Sequence, residues 1–126
     1  MAEQSNQAGE NEAPFAFNGL DRIFHERARL GIVTSLAGQA DGLAFAQLKR
    51  LCGLTDGNLN RHLSVLEDAG FISISKALSG RRPVTTCQLT SLGRERFIAY
   101  LAELEAALRR GAEAASFPTS LRASAT

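Results

Sequence analysis

FAQLKRLCGLTDGNLNRHLSVLEDAGFISISKALSGRRPVTTCQLT, residues 45–90, is the stretch that decides the fold. It holds two short helical patterns joined by a turn that contains Gly53, and two strand patterns that follow without a break. Helices repeat their apolar residues with a period near 3.6 and strands alternate with a period of 2. The order helix, turn, helix, strand, tip, strand therefore predicts a compact unit that joins one polar helix to one hairpin.

The second helical pattern has well-marked ends and two unlike faces. Thr55 is its predicted N-cap, and Gly70 is the residue predicted to end it in a left-handed conformation. Leu59, Leu63 and Leu66 fall within a narrow arc, which is typical of a buried face. The opposite face is predicted to be exposed and polar, with Gly57, Asn58, Asn60, Arg61 and Ser64.

The first helical pattern of the stretch covers Phe45 to Cys52 and ends at Gly53. Ala44 occupies its cap position and offers no side-chain acceptor. A helix is also predicted upstream, from Asp21 to about Gly38, and a short strand at Leu43 that pairs with the later hairpin. The strands of that hairpin are predicted over residues 71–76 and 84–89, with residues 77–83 as its loop.

Thr90 is the predicted N-cap of a final helix, and the apolar residues of that helix form a repeating seam. Its apolar residues recur at spacings of four, three and four, as in a short coiled coil. Too little of the same domain remains to pack against this seam, so the pattern implies a helix from a partner chain. The predicted dimerisation residues are Phe97, Leu101, Leu104 and Leu108.

Length and charge favour one domain. The chain has 126 residues, of which 44% are apolar, enough for one core and not for two. We predict a disordered N-terminal tail over residues 1–14, a domain over 15–110 and a flexible C-terminal tail over 111–126. The net charge is only +1, but bases outnumber acids between residues 20 and 90, so the placement of charge is more informative than its total.

Several classes of function find no support in the sequence. No apolar stretch is long enough to cross a bilayer, and residues 1–14 lack the features of a signal peptide, so we expect a cytoplasmic protein without membrane contact. Cys52 and Cys87 lack metal-ligand spacing. We find no catalytic triad pattern and no glycine-rich phosphate loop. We therefore expect no enzyme activity, no metal and no cofactor.

Together these patterns predict a mainly α fold with a small β-hairpin, a winged helix-turn-helix of the α+β class with a long C-terminal dimerisation helix. From Leu20 to Leu108 the chain resembles bacterial or archaeal winged-helix transcriptional regulators, related to the MarR and ArsR groups and most similar to the short stand-alone winged-helix DNA-binding family. The motifs that carry this resemblance are LDRIFHERARL (20–30), LTDGNLNRHL (54–63), LEDAGF (66–71), GRRP (80–83) and LTSLGR (89–94). The sequence departs from the family pattern at Ala44 and Cys87.

The resemblance implies a homodimer that binds a short, roughly palindromic operator in double-stranded DNA, most simply as a repressor. Asparagine suits adenine edges and arginine suits guanine edges, and arginines at a hairpin tip suit a minor groove or phosphates. For Thr55 and Ser64, a cap or a solvated hydroxyl is as good an explanation as a phosphate contact. Lys49 and Arg50 are candidate phosphate neighbours, and Arg50 could equally pair with an acid. The predicted DNA-binding residues are Thr55, Gly57, Asn58, Asn60, Arg61, Ser64, Arg81 and Arg82.

Two alternatives stay open. A winged helix that contacts protein instead of DNA would carry apolar residues on the outer face of its third helix, where only Val65 is apolar. A lone thiol at Cys52 could report oxidation, although its apolar surroundings in the sequence favour burial. His62 and His25 are interpreted as structural, hydrogen-bonded residues, and no residue cluster indicates a small-molecule effector.

Overall fold

The computed structural model describes residues 13–116. Four helices and three strands follow one another along the chain, as predicted for a winged helix-turn-helix. They are α1 (Arg27–Ala37), β1 (Leu43–Ala44), α2 (Phe45–Cys52), α3 (Asp56–Asp68), β2 (Ile72–Ser79), β3 (Arg82–Leu89) and α4 (Ser91–Ala115). The strands form one antiparallel sheet with the order β1-β3-β2.

The described residues belong to two compact units, one of Asp21–Ala99 and one that combines residues 13–20 with residues 100–116. The helix α4 contributes residues to both units. Within residues 13–116, no helix has an apolar segment of the length and hydropathy that a membrane crossing requires.

The helix α3 begins and ends where its sequence predicts. The Thr55 hydroxyl accepts a hydrogen bond from the backbone N–H of Asn58 at 3.2 Å, and Gly70 has a left-handed φ of 81°. The N–H of Phe71 then reaches back to the carbonyl of Leu66 at 3.0 Å, which is the bond of a Schellman ending. These local contacts confirm both predicted boundaries.

The helix α1 begins at Arg27, six residues later than the predicted start at Asp21. The Asp21 carboxylate instead accepts a bond from the N–H of Ile23 at 2.9 Å and holds a turn. Glu26 is the N-cap, with extended backbone and a carboxylate that accepts from the N–H of Arg29 at 2.8 Å. The predicted start was wrong because apolar residues in this turn imitate a helical period, whereas the predicted end at Gly38 is confirmed.

The start of α2 confirms the missing side-chain cap at Ala44. Its backbone N–H instead donates to the Gln47 side chain at 2.8 Å, so one half of a capping box is present. The helix ends as predicted at Gly53, whose φ is 64°. Leu43 pairs with Cys87, which confirms the predicted short strand.

The hairpin is longer than predicted. Ser79 pairs with Arg82 and Leu78 pairs with Pro83, so the loop consists of Gly80 and Arg81 and not of residues 77–83. Gly80 has a φ of 69°, which suits the first central position of a two-residue hairpin turn. Among the described residues, β1 pairs with β3 only near Cys87, so Pro83 lies where the outer edge of β3 is open and a missing N–H is tolerated.

The core of the larger unit contains a cluster of three phenylalanines. The ring of Phe24 stacks on Phe71 with centroids 4.9 Å apart and meets Phe97 at 5.5 Å in a tilted geometry. Phe97 is only 5% exposed, so its ring belongs to the core of its own chain. This is a correction to the predicted seam, in which Phe97 contacts a partner.

The helix α4 starts as predicted, because the Thr90 hydroxyl accepts a bond from the N–H of Gly93 at 2.9 Å. It continues through Gly111 to Ala115, so the first part of the predicted flexible tail is helical. The rest of that tail, from residue 117, and residues 1–12 of the predicted N-terminal tail lie outside the described residues.

Candidate nucleic-acid interface

The polar face of α3 is exposed as its sequence predicts. Leu59, Leu63 and Leu66 are buried, and they anchor the helix to the core. The exposed residues on the other side include all five predicted members of the polar face: Gly57, Asn58, Asn60, Arg61 and Ser64. An exposed face with amide and guanidinium groups can donate to and accept from base edges and phosphates.

Asn58 and Arg61 are held together in the free protein. Arg61 Nη2 donates to Asn58 Oδ1 across 3.4 Å of exposed surface, which is a long and weak hydrogen bond. A base edge or a phosphate can therefore replace this contact at little cost. Thr55 is exposed and its oxygen acts as the cap of α3, so the cap interpretation is confirmed for this residue and leaves its hydroxyl proton free to donate.

An ion pair joins α2 to the first turn of α3. Lys49 Nζ lies 2.8 Å from Asp56 Oδ1, and both side chains are largely exposed. Exposed pairs of this kind contribute about 0–1 kcal/mol to stability. The pair also neutralises the one acidic side chain in the first turn of α3, beside the predicted DNA-binding residues.

The two wing arginines differ in their surroundings. Arg81 lies in the turn, whereas Arg82 begins β3 opposite Ser79. Side chains alternate between the two faces of a strand, so Arg82 and Ser79 share one face of the hairpin and Pro83 and Leu78 share the other. In the sequence the two arginines form one predicted tip, and only the pairing register assigns them to different positions on the hairpin.

A groove of about 530 Å³ separates α3 from the hairpin. Lys76 and Thr85, which pair across the hairpin, line this groove, and they identify the hairpin face that looks toward α3. By the same register, Leu78 and Pro83 extend that face toward the tip and Arg82 lies on the far face. The residues that line the groove are Phe45, Asn60, Leu63, Glu67, Ile74, Lys76 and Thr85.

His62 lies beneath the polar face of α3 and is 7% exposed. Its Nδ1 atom is 3.1 Å from Arg29 Nη1 and 3.7 Å from Glu26 Oε1, which confirms the interpretation of a hydrogen-bonded structural residue. Burial lowers the pKa of His62, Glu26 opposes this effect, and Arg29 and Arg61 add to it. Arg29 and Glu26 could not be predicted as partners of His62, because contacts over more than thirty positions leave no local pattern in the sequence.

The two cysteines differ in environment. Cys87 is buried, and burial together with the nearby Glu67 carboxylate raises the pKa of its thiol to about 11. Cys52 is half-buried, with Sγ 3.9 Å from the Ser35 hydroxyl. Among residues 13–116, no group of three or more His, Cys, Asp or Glu side chains is arranged to hold a metal ion.

These features define a class of protein. Winged-helix proteins bind duplex DNA with a helix that is anchored by apolar residues and exposes a polar face. A hairpin that carries arginines lies beside this helix. The sequence model of the winged helix DNA-binding domain family matches residues 28–108.

Known relatives agree with this match. An uncharacterized protein of Methanocaldococcus jannaschii is 36% identical over 83 residues, which cover 66% of this chain and 89% of that protein. The structure of a transcriptional regulator homologue from Pyrococcus horikoshii OT3 is similar with a TM-score of 0.66 and 31% identity, over 71% of this chain and 87% of that chain. The YusO protein of Bacillus subtilis shares the fold, with a TM-score of 0.67 and 19% identity over 98% and 86% of the two chains.

The chain belongs to the winged helix DNA-binding domain family. It is a DNA-binding transcriptional regulator, and the family and fold are those of regulators and not of enzymes.

Proposed function

We propose that this protein is a homodimeric repressor that reads a short, roughly palindromic DNA operator. The observation that carries the proposal is the exposed polar face of α3, on which amide and guanidinium groups cluster while the opposite leucines are buried. The helix α3 enters the major groove, and the hairpin holds the DNA beside it. Repression follows if the operator overlaps the promoter and the bound protein blocks polymerase.

The polar residues divide into base and phosphate contacts by their chemistry. Asn58, Asn60 and Arg61 have the hydrogen-bonding groups that read adenine and guanine edges. Thr55 and Ser64 carry hydroxyls suited to phosphate oxygens, and the absent side chain of Gly57 lets the helix approach closely.

The two wing arginines are assigned to different contacts. Arg81, at the turn, extends into the minor groove, where arginine is favoured by the negative potential. Arg82 lies on the hairpin face that looks away from α3, so we assign it to a flanking phosphate.

The proposed dimer uses the second half of α4. Leu101 is 43% exposed, Leu108 is 65% exposed and Leu104 is half-buried, which leaves an apolar stripe along the helix. Phe15 is also exposed, and its ring lies 5.9 Å from the guanidinium carbon of Arg110 on α4. A second copy of this chain would cover these residues. A dimer of this kind suits two α3 helices in successive major grooves, about 34 Å apart.

The competing interpretation, a winged helix that contacts protein, finds no supporting observation. Val65 is half-buried, and among the described residues of α3 no large apolar side chain is exposed. A protein-docking helix would present such residues at the centre of its interface.

The decisive experiment selects bound duplexes from a random pool and then measures the affinity of variants for the enriched site. We expect palindromic enrichment. We expect Arg61→Ala to weaken specific binding by about 1–3 kcal/mol, and Arg81→Ala to weaken binding to all sequences and reduce the salt slope by about one. Arg96→Ala is the control, because Arg96 is an exposed arginine in the first half of α4, outside the proposed DNA and dimer contacts. Unchanged affinity in both the Arg61 and Arg81 variants would overturn the proposal.

The dimer has its own test. Sedimentation equilibrium of Leu108→Glu should show monomer at concentrations where the wild type is dimeric, because a charge replaces an apolar contact. Leu51→Glu is the matched control, since Leu51 is 61% exposed on α2 and lies outside the proposed interface. If both Leu108→Glu and Leu101→Glu remain dimeric, the dimer interface does not lie on the second half of α4.

A further inference from the structure

The Arg29 side chain links the turn before α1 to the recognition helix α3. Its Nε atom donates to the carbonyl of Ile23 at 2.7 Å, and Nη1 lies 3.1 Å from His62 Nδ1. The side chains of Arg29 and His62 are only 17% and 10% exposed. One guanidinium, largely shielded from water, thus makes a hydrogen bond to the turn before α1 and another to α3. Together these two hydrogen bonds hold α3 against the start of α1.

This link needs a neutral imidazole. A guanidinium donates hydrogen bonds and cannot accept them, so His62 Nδ1 must act as the acceptor and the ring proton must reside on Nε2. Burial favours that state by lowering the pKa of His62, and the charges of Arg29 and Arg61 favour it too, while Glu26 opposes it.

Protonation of His62 would change the hydrogen-bond partner of its Nδ1 atom. A proton on Nδ1 would face the donor groups of Arg29, whereas the Glu26 carboxylate, 3.7 Å away, could accept it. That same carboxylate caps α1 through the N–H of Arg29, and hydrogen bonds from the backbone N–H groups of Arg29 and Ala28 offset its burial and keep the pKa of Glu26 low. The imidazole and the helix cap therefore compete for one acceptor once His62 is charged.

We propose that the Arg29–His62 hydrogen bond positions α3 for operator binding, and that protonation of His62 breaks this bond and lowers operator affinity. Arg29 and His62 are positioning residues in this scheme, because His62 is buried beside Arg61 and one turn from Asn58, which carry the proposed base contacts. The inference rests on the proposed operator recognition by α3. It adds a response to acid that the regulator fold itself does not require.

The test measures operator affinity by fluorescence anisotropy between about pH 7.5 and about pH 4.5, a range that extends below the ordinary titration of histidine because the pKa of His62 is lowered. We expect wild-type affinity to fall about fivefold or more on acidification, the lower end of typical coupling between sites. His62→Asn keeps an acceptor near Nδ1 but does not titrate, so it should bind like the wild type at the higher pH and change less than about twofold. Arg29→Met should bind weakly at both pH values.

The chain has only two histidines, so His25→Gln is a matched control that should keep the wild-type pH dependence. Circular dichroism at each pH confirms that the compared variants are folded. A second measurement needs no DNA: the ¹⁵N shifts of the His62 ring should show an unprotonated Nδ1 and a protonated Nε2 at the higher pH.

The outcomes separate the two proposals. Failure of the wild type to bind any selected duplex at the higher pH would overturn the operator proposal. Tight binding with the same pH dependence in the wild type and His62→Asn, or a ring proton on Nδ1 at the higher pH, would overturn the positioning role of Arg29 and His62 alone.

Discussion

Replacing Gly57 by alanine should make the protein more stable and a poorer DNA binder. Gly57 lies in the first turn of α3, and an added Cβ would meet no atom within 4 Å. Glycine costs roughly 0.8–1.0 kcal/mol relative to alanine in a helix interior. If about half of this applies in the first turn, the melting temperature should rise by about 2–4 °C for a domain of this size.

The same methyl group should interfere with DNA. Gly57, Asn60, Arg61 and Ser64 share one face of α3, because residues three and four apart are neighbours on a helix. A methyl group forced into a close-packed contact typically costs about 1–3 kcal/mol, which corresponds to roughly a fivefold to 150-fold loss of operator affinity. Thermal unfolding by circular dichroism and fluorescence anisotropy with the selected duplex measure the two effects on the same sample.

Gly111→Ala is the matched control. It also adds a Cβ to a helix at a position with no atom within 4 Å, so it should give a similar gain in melting temperature. Gly111 lies in the second half of α4, so operator affinity, expected to be unchanged, is compared after sedimentation equilibrium shows that the variant has the oligomeric state of the wild type. A Gly57→Ala protein that is stabilised and still binds the operator as tightly as the wild type would remove the first turn of α3 from the interface. A destabilised Gly57→Ala protein would refute the argument from helix propensity.

Three further predictions concern the fold. Gly93→Ala should destabilise the protein by about 1–3 kcal/mol, because its Cβ would overlap the backbone carbonyl of Phe71, which cannot move aside like a side chain; urea unfolding should show a lower midpoint with an unchanged slope. Burial lowers the pKa of His62 in the folded protein. The contribution of His62 to the free energy of unfolding is therefore complete above the pKa of the unfolded chain, about 6.5, and it is lost as the pH falls through the folded-state pKa. Urea unfolding over a pH series should show this loss of stability, and His62→Asn should reduce it. Burial raises the pKa of Cys87 to about 11, so in native protein at mildly alkaline pH a thiol reagent should modify the half-buried Cys52 first, and a Cys52→Ser variant that reacts as fast as the wild type would contradict this.

The parts of the fold that the sequence predicts well are fixed by neighbouring residues. Thr55 caps α3 through a residue three positions away, and Gly70 ends it with a conformation that glycine adopts readily. The polar face of α3 follows from the helical period alone. Local signals of this kind are legible in a single chain because both partners of each contact lie within one or two turns.

The errors occur where different structures produce the same pattern. An apolar seam such as Phe97, Leu101 and Leu108 has the same spacing whether it packs within its own chain or against a second copy, and Phe97 lies in its own core. Pro83 usually marks the end of a strand, yet it is accommodated at the open edge of β3. Tertiary packing separates the two possibilities for the seam, and the short pairing of β1 with β3 leaves the edge beside Pro83 open; both depend on residues distant in the sequence.

The candidate site shows the same division between local and distant information. The exposed residues of α3 were predictable, whereas the groove lined by Lys76 and Glu67 and the faces of the two wing arginines depend on the register of the hairpin. The Arg29–His62 contact joins residues on two helices. Sequence patterns thus identify the exposed polar residues of α3, and the tertiary fold determines the direction in which those side chains point.

The orientation of α3 illustrates why polar contacts matter for a helix that already has an apolar anchor. The buried leucines of α3 supply contact area, but the hydrophobic effect is non-directional, so they tolerate small rotations and shifts of the helix. Hydrogen bonds depend steeply on angle and distance, so the largely buried contact of His62 with Arg29 orients α3, and the exposed ion pair of Asp56 with Lys49 makes a smaller contribution. Base readout requires positions accurate to a fraction of an ångström, so we expect substitutions at these partners to weaken operator binding by more than their effect on stability accounts for.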